Sequence, residues 1–260
     1  MRKWEKDGLE FKIWTADLDN KAQNVTKDLL KNLMYEMATL SLKFDNPRYK
    51  LYNPPYTYTE RRLDGILLPA LSKICNGYVM TEMPVTRQYT NEEHQKVESS
   101  GRADYWCIYK NYSFVIELKQ GYDCYTTPDS TTGKVKRIWN TMNKQLKIVE
   151  STCKSLLEKT EGVIRLGITV ITSYSDKEPD DEQISIFRNN INKIHDHLYR
   201  DLGDYRSKTK PDMSICWIIP TDIVYGYDQQ ALQTFPGLWI MAKTYEPINH
   251  KGARMYKKKE

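Results

Sequence analysis

Hydrophobic residues recur at helical spacing in four stretches of the chain and at strand spacing in seven shorter ones. The predicted helices cover residues 17–42, 60–75, 135–159 and 181–202. The predicted strands cover residues 10–14, 78–87, 103–109, 113–119, 163–172, 214–219 and 238–243. Segments 46–58 and 121–134 are rich in Pro, Gly, Asn and Thr and are predicted to be loops. Pro69 falls inside the second helix and should kink or restart it.

The order of these elements predicts an α/β fold built on a mixed central sheet. Residues 60–173 read as helix, three strands, helix, strand, and they form the predicted core. Residues 1–59 add a helix before this core, and residues 174–260 add a helix and strands after it. No internal repeat and no long linker divides the chain, so the pattern favours a single domain over residues 1–260.

Composition places the protein among globular proteins, with 40% hydrophobic and 28% charged residues in a chain of 260. No apolar run reaches the roughly 18–20 residues of a membrane span, so no membrane partner is expected. The five cysteines are odd in number and never form a C-x-x-C pair, which indicates buried free thiols and predicts a cytoplasmic protein. The net charge of +5 permits nucleic-acid binding without establishing it. Glycine-rich phosphate loops are absent, which argues against ATP or dinucleotide chemistry.

The strand predicted at residues 113–119 carries apolar side chains on both faces, as buried central strands do. Glu117 and Lys119 share one of these faces because side chains alternate along a strand. Charged groups are expensive to bury in such a place. Their presence at the end of a central strand therefore predicts a functional site.

The register of the preceding hairpin brings Asp104 to the same place. A two-residue turn at Lys110-Asn111 puts Asp104 opposite Glu117, and a four-residue loop puts it opposite Lys119. A three-residue loop with a bulge would break this parity, so the three alternatives stay open. Either even register brings two carboxylates and an ammonium within about 5 Å of one another. A divalent cation would remove the repulsion of the acids and activate water, which predicts a phosphodiester hydrolase.

Asp104, twelve intervening residues, and Glu117-Leu118-Lys119 at the end of a strand resemble the PD-(D/E)XK nuclease superfamily. Ala103 stands where that motif has proline. The order of elements predicted above is similar to the restriction-endonuclease-like core of this superfamily.

The resemblance implies a nuclease, acting as an endonuclease or exonuclease with Mg²⁺ (or Mn²⁺), on DNA rather than RNA. It implies Asp104, Glu117 and the main-chain carbonyl of Leu118 as metal ligands and Lys119 as the catalytic lysine. A stand-alone nuclease of this size suggests genome defence or a mobile element, and a two-fold homodimer would suit cleavage of both strands.

The resemblance also implies supporting residues around the three central ones. Many such nucleases add a glutamate from the preceding helix, and Glu60 is the matching position. The alternative for Glu60 is a capping box with Thr57, which stabilises a helix start without any catalysis. Glu82 on the first strand is a weaker candidate for the same role. Gln120 and Gln145 match supporting polar positions, although Gln145 would equally suit the polar face of an amphipathic helix.

Basic residues near the motif are candidate phosphate contacts, with solvated helix and strand ends as the alternative. These residues are Arg102, Lys134, Lys136 and Arg137. Two other functions stay open. One is a catalytically inactive nuclease fold that binds nucleic acid or a partner protein, and the other is an interaction protein in which the three charged residues form an internal ion-pair cluster.

Overall fold

Four α-helices are present in the part of the chain that the computed structural model describes. The described residues are 1–15, 20–46, 48, 51–52, 54–57, 60–90, 93–127, 132–149, 160–177, 180–204, 206, 208–220 and 233–249. The helices are α1 (Lys21–Leu42), α2 (Glu60–Ile74), α3 (Thr132–Lys147) and α4 (Asp181–Asp201). Asn20 caps α1 and Asp180 caps α4, each accepting a hydrogen bond from a main-chain amide of the first turn.

Ten strands lie in the same described residues, and eight of them form one sheet. They are β1 (Arg2–Lys6), β2 (Leu9–Thr15), β3 (Asp45–Asn46), β4 (Leu51–Tyr52), β5 (Val79–Thr90), β6 (Lys96–Tyr109), β7 (Tyr112–Cys124), β8 (Gly162–Ser175), β9 (Met213–Ile218) and β10 (Thr234–Asn249). The order across the sheet is β1-β2-β9-β10-β8-β7-β6-β5, and β3 pairs with β4 separately. Among the described strands only β7 and β8 run parallel, so the sheet is mostly antiparallel and the fold is mixed α/β.

Each face of the sheet carries its own hydrophobic core. On one face, α1 and α2 cover residues such as Phe114, Ile116 and Leu118 of β7. On the other face, α3 and α4 pack on β8, β9 and β10. Helix α3 lies close to the sheet because of Gly167, where a Cβ would stand 2.6 Å from the Cε of Met142. Burial on both faces agrees with the two-sided apolar pattern of β7.

The order of elements predicted for residues 60–173 is found, but several boundaries were wrong. Helix α2 continues through Pro69 and does not restart there. The predicted loop at 121–134 begins inside β7, which stays paired with β8 as far as Cys124. The predicted loop at 46–58 contains the β3–β4 pair and a 3₁₀ turn at Pro55–Thr57.

Two further differences concern elements that sequence periodicity did not resolve. Strand β1 was missed because four of its five residues are charged, which leaves no alternation of apolar and polar residues to indicate a strand. It pairs with β2 across a two-residue turn. Helix α3 ends at Lys147, earlier than predicted, where the Arg165 guanidinium donates to the last carbonyls. Residues 150–159 of the predicted third helix and the basic tail at 254–259 lie outside the described residues.

Four of the cysteines, Cys75, Cys107, Cys124 and Cys216, are buried free thiols, and Cys153 lies outside the described residues. Burial raises the pKa of the Cys216 thiol. No helix of the described chain is long and apolar enough to cross a membrane.

Candidate active site

The hairpin of β6 and β7 has the two-residue turn, which settles the register. Lys110 and Asn111 both adopt positive φ, at 45° and 63°, as a turn of this length requires. The paired residues run from Tyr109 and Tyr112 to Tyr105 and Ile116. The next position along the hairpin is that of Asp104 and Glu117.

The sheet forks at this position. Beyond Tyr105, β6 pairs only with β5, from Ala103 to Lys96. Beyond Ile116, β7 pairs only with β8. Glu82 of β5, opposite the same point, adopts a positive φ of 53°. Asp104 and Glu117 therefore stand where two halves of the sheet separate, and main-chain groups there lose their partners across the β6–β7 ladder.

The Asp104 carboxylate replaces one of these missing partners. Its Oδ2 accepts a hydrogen bond from the Leu118 amide at 2.6 Å. The Lys119 ammonium lies 3.5 Å from Asp104 Oδ2 and 3.5 Å from Glu117 Oε1. It also donates to the Leu118 carbonyl at 2.7 Å. The structure thus brings together the three charged residues that the sequence singled out, together with the Leu118 carbonyl.

Glu117 is the most deeply buried of these charged residues, at 1% exposure. Burial raises the pKa of its carboxyl to about 7, and the negative charge of Asp104 acts in the same direction. The charges of Lys119 and Arg87 oppose this rise without cancelling it. Glu117 Oε2 is buried and has no hydrogen-bond partner among the described residues. A buried, unpartnered carboxylate oxygen is costly unless a cation or a donor binds it.

Glu60 enters the site from the first turn of α2. Its Oε2 accepts a hydrogen bond from the Gln120 amide at 3.3 Å. Burial raises the pKa of Glu60, Lys119 lowers it, and Asp104 raises it further. The capping box with Thr57 is not formed, because the amide and the hydroxyl of Thr57 both donate to the Pro54 carbonyl. Glu60 is free of that structural role and faces the other charged residues.

Gln120 fixes the segment that leads into α2. Its Nε2 donates to the Tyr56 carbonyl at 3.1 Å, and the Thr172 hydroxyl donates to the same carbonyl at 2.7 Å. These two bonds tie the turn before α2 to β7 and β8, and so hold Glu60 at the ends of those strands. The sequence offered no signal for the Tyr56 carbonyl, since any residue type provides one.

Glu82 and Arg102 lie outside this cluster. Their side chains are 62% and 69% exposed and form an ion pair with each other at 3.1 Å. Lys134, Lys136 and Arg137 are exposed on the first two turns of α3. Within the described chain, no hydrogen bond or ion pair joins any of these five residues to the three central ones. Their part in binding nucleic acid stays a prediction.

Gln145 lies on the side of α3 that faces the sheet, between Met142 and Val149, which both pack in the core. Its Oε1 is buried and has no hydrogen-bond partner in the described part of the chain. A residue of the polar helix face would point to solvent instead. The structure therefore half-buries Gln145 with its Oε1 turned inward, although it does not bring Gln145 into hydrogen bonding with the three central residues.

Two residues near the site were missed by sequence reasoning. Asp64 lies one turn after Glu60 on α2 and accepts a hydrogen bond from the Tyr105 hydroxyl. The i, i+4 spacing of Glu60 and Asp64 on one helix was the available signal. Arg87 is the last residue of a predicted strand, yet its charge acts on Glu117. Nothing in the local sequence indicates that proximity.

A divalent cation would find Asp104, Glu117 and the Leu118 carbonyl as ligands. The unpartnered Glu117 Oε2 supports this fit, and hard cations favour oxygen ligands. In the described residues no group of three or more His, Cys, Asp or Glu side chains is placed to hold a metal. Two carboxylates and a carbonyl suit Mg²⁺, because Mg²⁺ usually keeps several waters. The Lys119 ammonium contacts both carboxylates and the Leu118 carbonyl. These three groups therefore attract positive charge to one position.

No family model matches this chain, and no curated protein matches it significantly. Among solved structures, a crystal structure of SSO0001 aligns at 19% identity with a TM-score of 0.23. The alignment covers 58% of this chain and 73% of that one. The TM-score is too low for the match to bear on fold or function.

Proposed function

We propose that this protein is a metal-dependent nuclease that hydrolyses phosphodiester bonds, with DNA as the favoured substrate. The observation that carries the proposal is the buried Glu117, whose Oε2 lacks a partner among the described residues while Asp104 and Lys119 stand beside it. In a purely structural ion pair, hydrogen bonds would be expected to both buried carboxylate oxygens. In a cation site, a carboxylate oxygen without such a bond is available to bind the metal.

The surrounding elements support a restriction-endonuclease-like core. Helix α2, strands β5, β6 and β7, helix α3 and strand β8 follow one another in the order expected of that core. The only parallel pair of the described sheet, β7 with β8, is the one joined through α3. On this proposal the N-terminal hairpin with α1, and the segment from α4 to β10, are additions around the core.

The proposed reaction is in-line attack of water on phosphorus, with cleavage of one phosphorus–oxygen ester bond. A bound Mg²⁺ or Mn²⁺ would supply Lewis-acid stabilisation and a more acidic water. Asp104 and Glu117 would hold the cation, and the Lys119 ammonium would orient the attacking water and stabilise the developing negative charge. The Gln120 amide holds Glu60 toward the same lysine, so Glu60 is placed to accept a proton from that water.

The test is cleavage of plasmid DNA, linear duplex DNA, single-stranded DNA and RNA with Mg²⁺ or Mn²⁺. Parallel reactions contain EDTA or the Lys119→Ala variant, whose folded state is checked by its unfolding transition. Cutting that requires the metal and is lost in the variant supports the proposal and identifies the substrate.

If folded protein cuts none of the four substrates, the nuclease proposal fails. A melting temperature that ignores Mn²⁺ would then favour the internal ion-pair cluster. Retained binding of nucleic acid without cleavage would favour the inactive binding module.

A further inference from the structure

Arg87 lies on β5 beyond the fork, where β5 and β6 have separated from β7. It pairs with Ser99 across the ribbon and forms an isolated bridge with Val149, just after α3. Val149 packs with Val115, two residues before Glu117. These contacts place Arg87 on the α3 side of the sheet, the face that Val115 and Glu117 of β7 share.

Gly101 provides a seat for the Arg87 guanidinium. A Cβ at Gly101 would lie 2.6 Å from Nε, 2.8 Å from Cδ and 2.9 Å from Cζ of Arg87. The backbone of Gly101 is not in the left-handed region, so its conformation does not require glycine. The close approach of the guanidinium favours glycine, because a Cβ at this position would displace the end of the Arg87 side chain.

Most hydrogen-bond donors of Arg87 remain unused within the described residues. Its NH2 group donates to the Arg102 carbonyl at 2.9 Å, and its Nε is buried without a partner. The Nε of Arg165 is buried without a partner too, but the other donors of Arg165 and Arg188 are committed to structural contacts. Arg165 binds the carbonyls at the end of α3, and Arg188 pairs with Glu10 at 3.1 Å.

Arg87 acts on Glu117 through space and forms no ion pair with it. Its positive charge lowers the pKa of Glu117, yet no ion pair between them occurs in the described residues. The Arg87 Nε and the Glu117 Oε2 are each buried without a hydrogen-bond partner among the described residues. The donors of Arg87 that stay unused suit a group that carries its own negative oxygens.

We propose that Arg87, seated on Gly101, binds a non-bridging oxygen of the scissile phosphate. This inference rests on the proposed nuclease function. Two carboxylates repel a phosphodiester, and Lys119 is already shared between them. A planar guanidinium with spare donors matches phosphate oxygens in both charge and geometry.

The first test compares wild type, Arg87→Met and Arg87→Lys on whichever is cut fastest among duplex DNA, single-stranded DNA and RNA. Arg87→Met should lose about 10- to 100-fold in kcat/KM, the size of a charge-assisted hydrogen bond. Arg87→Lys should recover part of that loss by keeping the charge. Binding of the same labelled nucleic acid, measured in Ca²⁺ to slow cleavage, should show a salt slope reduced by about one in Arg87→Met.

The second test displaces Arg87 without changing it. Gly101→Ala should lower kcat/KM in the same direction as Arg87→Met, and the double variant should lose little more than Arg87→Met alone. Arg188→Met removes an arginine that is committed to an ion pair on α4 and should match wild type. Unfolding transitions confirm that each variant is folded.

The outcomes separate the two proposals. If wild type cuts but Arg87→Met has unchanged kcat/KM and salt slope, the assignment of Arg87 is wrong and the nuclease stands. Additive losses in the double variant would also overturn the seating of Arg87 on Gly101. If wild type cuts none of the nucleic acids, the nuclease proposal fails, and the role of Arg87 fails with it.

Discussion

Replacing Glu117 by glutamine should make the stability of the protein less dependent on pH. The pKa of Glu117 is about 7 in the folded chain, against an ordinary value of 4.5. Between these two values the folded state binds more protons than the unfolded state, so stability falls as pH rises. The shift of 7 − 4.5 = 2.5 units corresponds to about 3 kcal/mol, which is fully present below pH 4.5 and lost above pH 7.

Urea denaturation between pH 4.5 and pH 8, in EDTA, measures this effect. Glu117→Gln removes the ionisation and keeps the side-chain shape. The free energy of unfolding of the variant, relative to wild type, should rise by up to about 3 kcal/mol from pH 4.5 to pH 8. Glu161→Gln is the control: Lys21 lowers the pKa of this exposed carboxyl, so any small slope should have the opposite sign.

A divalent cation extends the same experiment. Mn²⁺ at pH 8 should stabilise wild type by mass action, because it binds the ionised carboxylate of the folded state. It should leave Glu117→Gln nearly unchanged. If the difference in free energy of unfolding between wild type and variant does not change with pH, ionising Glu117 in the folded protein is not costly, and this account is refuted. Equal stabilisation of both proteins by Mn²⁺ would refute the role of Glu117 as a ligand.

Three further variants test other parts of the account. Lys119→Met should lower the cleavage rate by at least about 100-fold. Calorimetry should show that Mn²⁺ binds the variant as tightly as wild type or more tightly, because the competing Lys119 ammonium is gone. Weaker Mn²⁺ binding would contradict this. Glu60→Gln keeps an oxygen that can accept the hydrogen bond of the Gln120 amide, so the free energy of unfolding should change by less than about 1 kcal/mol. Cleavage should fall about tenfold or more. An unchanged rate would leave Glu60 a structural role only. Gly167→Ala should destabilise the fold by about 1–3 kcal/mol in urea, because its Cβ meets Met142 at 2.6 Å; unchanged stability would contradict the close approach of α3.

Local sequence is enough to predict the hairpin at the centre of the site. The Lys110-Asn111 turn and the alternation of side chains along two adjacent strands predict that Asp104, Glu117 and Lys119 lie together. Their proximity depends only on neighbouring strands and a short turn. This is the range over which strand periodicity is informative.

The fork in the sheet could not be predicted in the same way. It depends on β5 holding one half of the hairpin and β8 holding the other, and both are contacts between distant segments. The same applies to the position of Arg87, which packs against Gly101 and bridges to Val149 and carries no local signal. The error at residues 121–124 has a related cause, since a glycine-containing polar stretch became strand through pairing with β8.

The most direct test of the proposed function is the rate of single-turnover cleavage at pH 8 as Mg²⁺ is increased. Wild type, Glu117→Gln and Lys119→Ala are compared on the nucleic acid that wild type cuts fastest. The account predicts a rate for wild type that saturates with Mg²⁺ and falls at least about 100-fold in both variants, which remain folded. A rate that ignores Mg²⁺, or that survives in either variant, would contradict the assignment of this site.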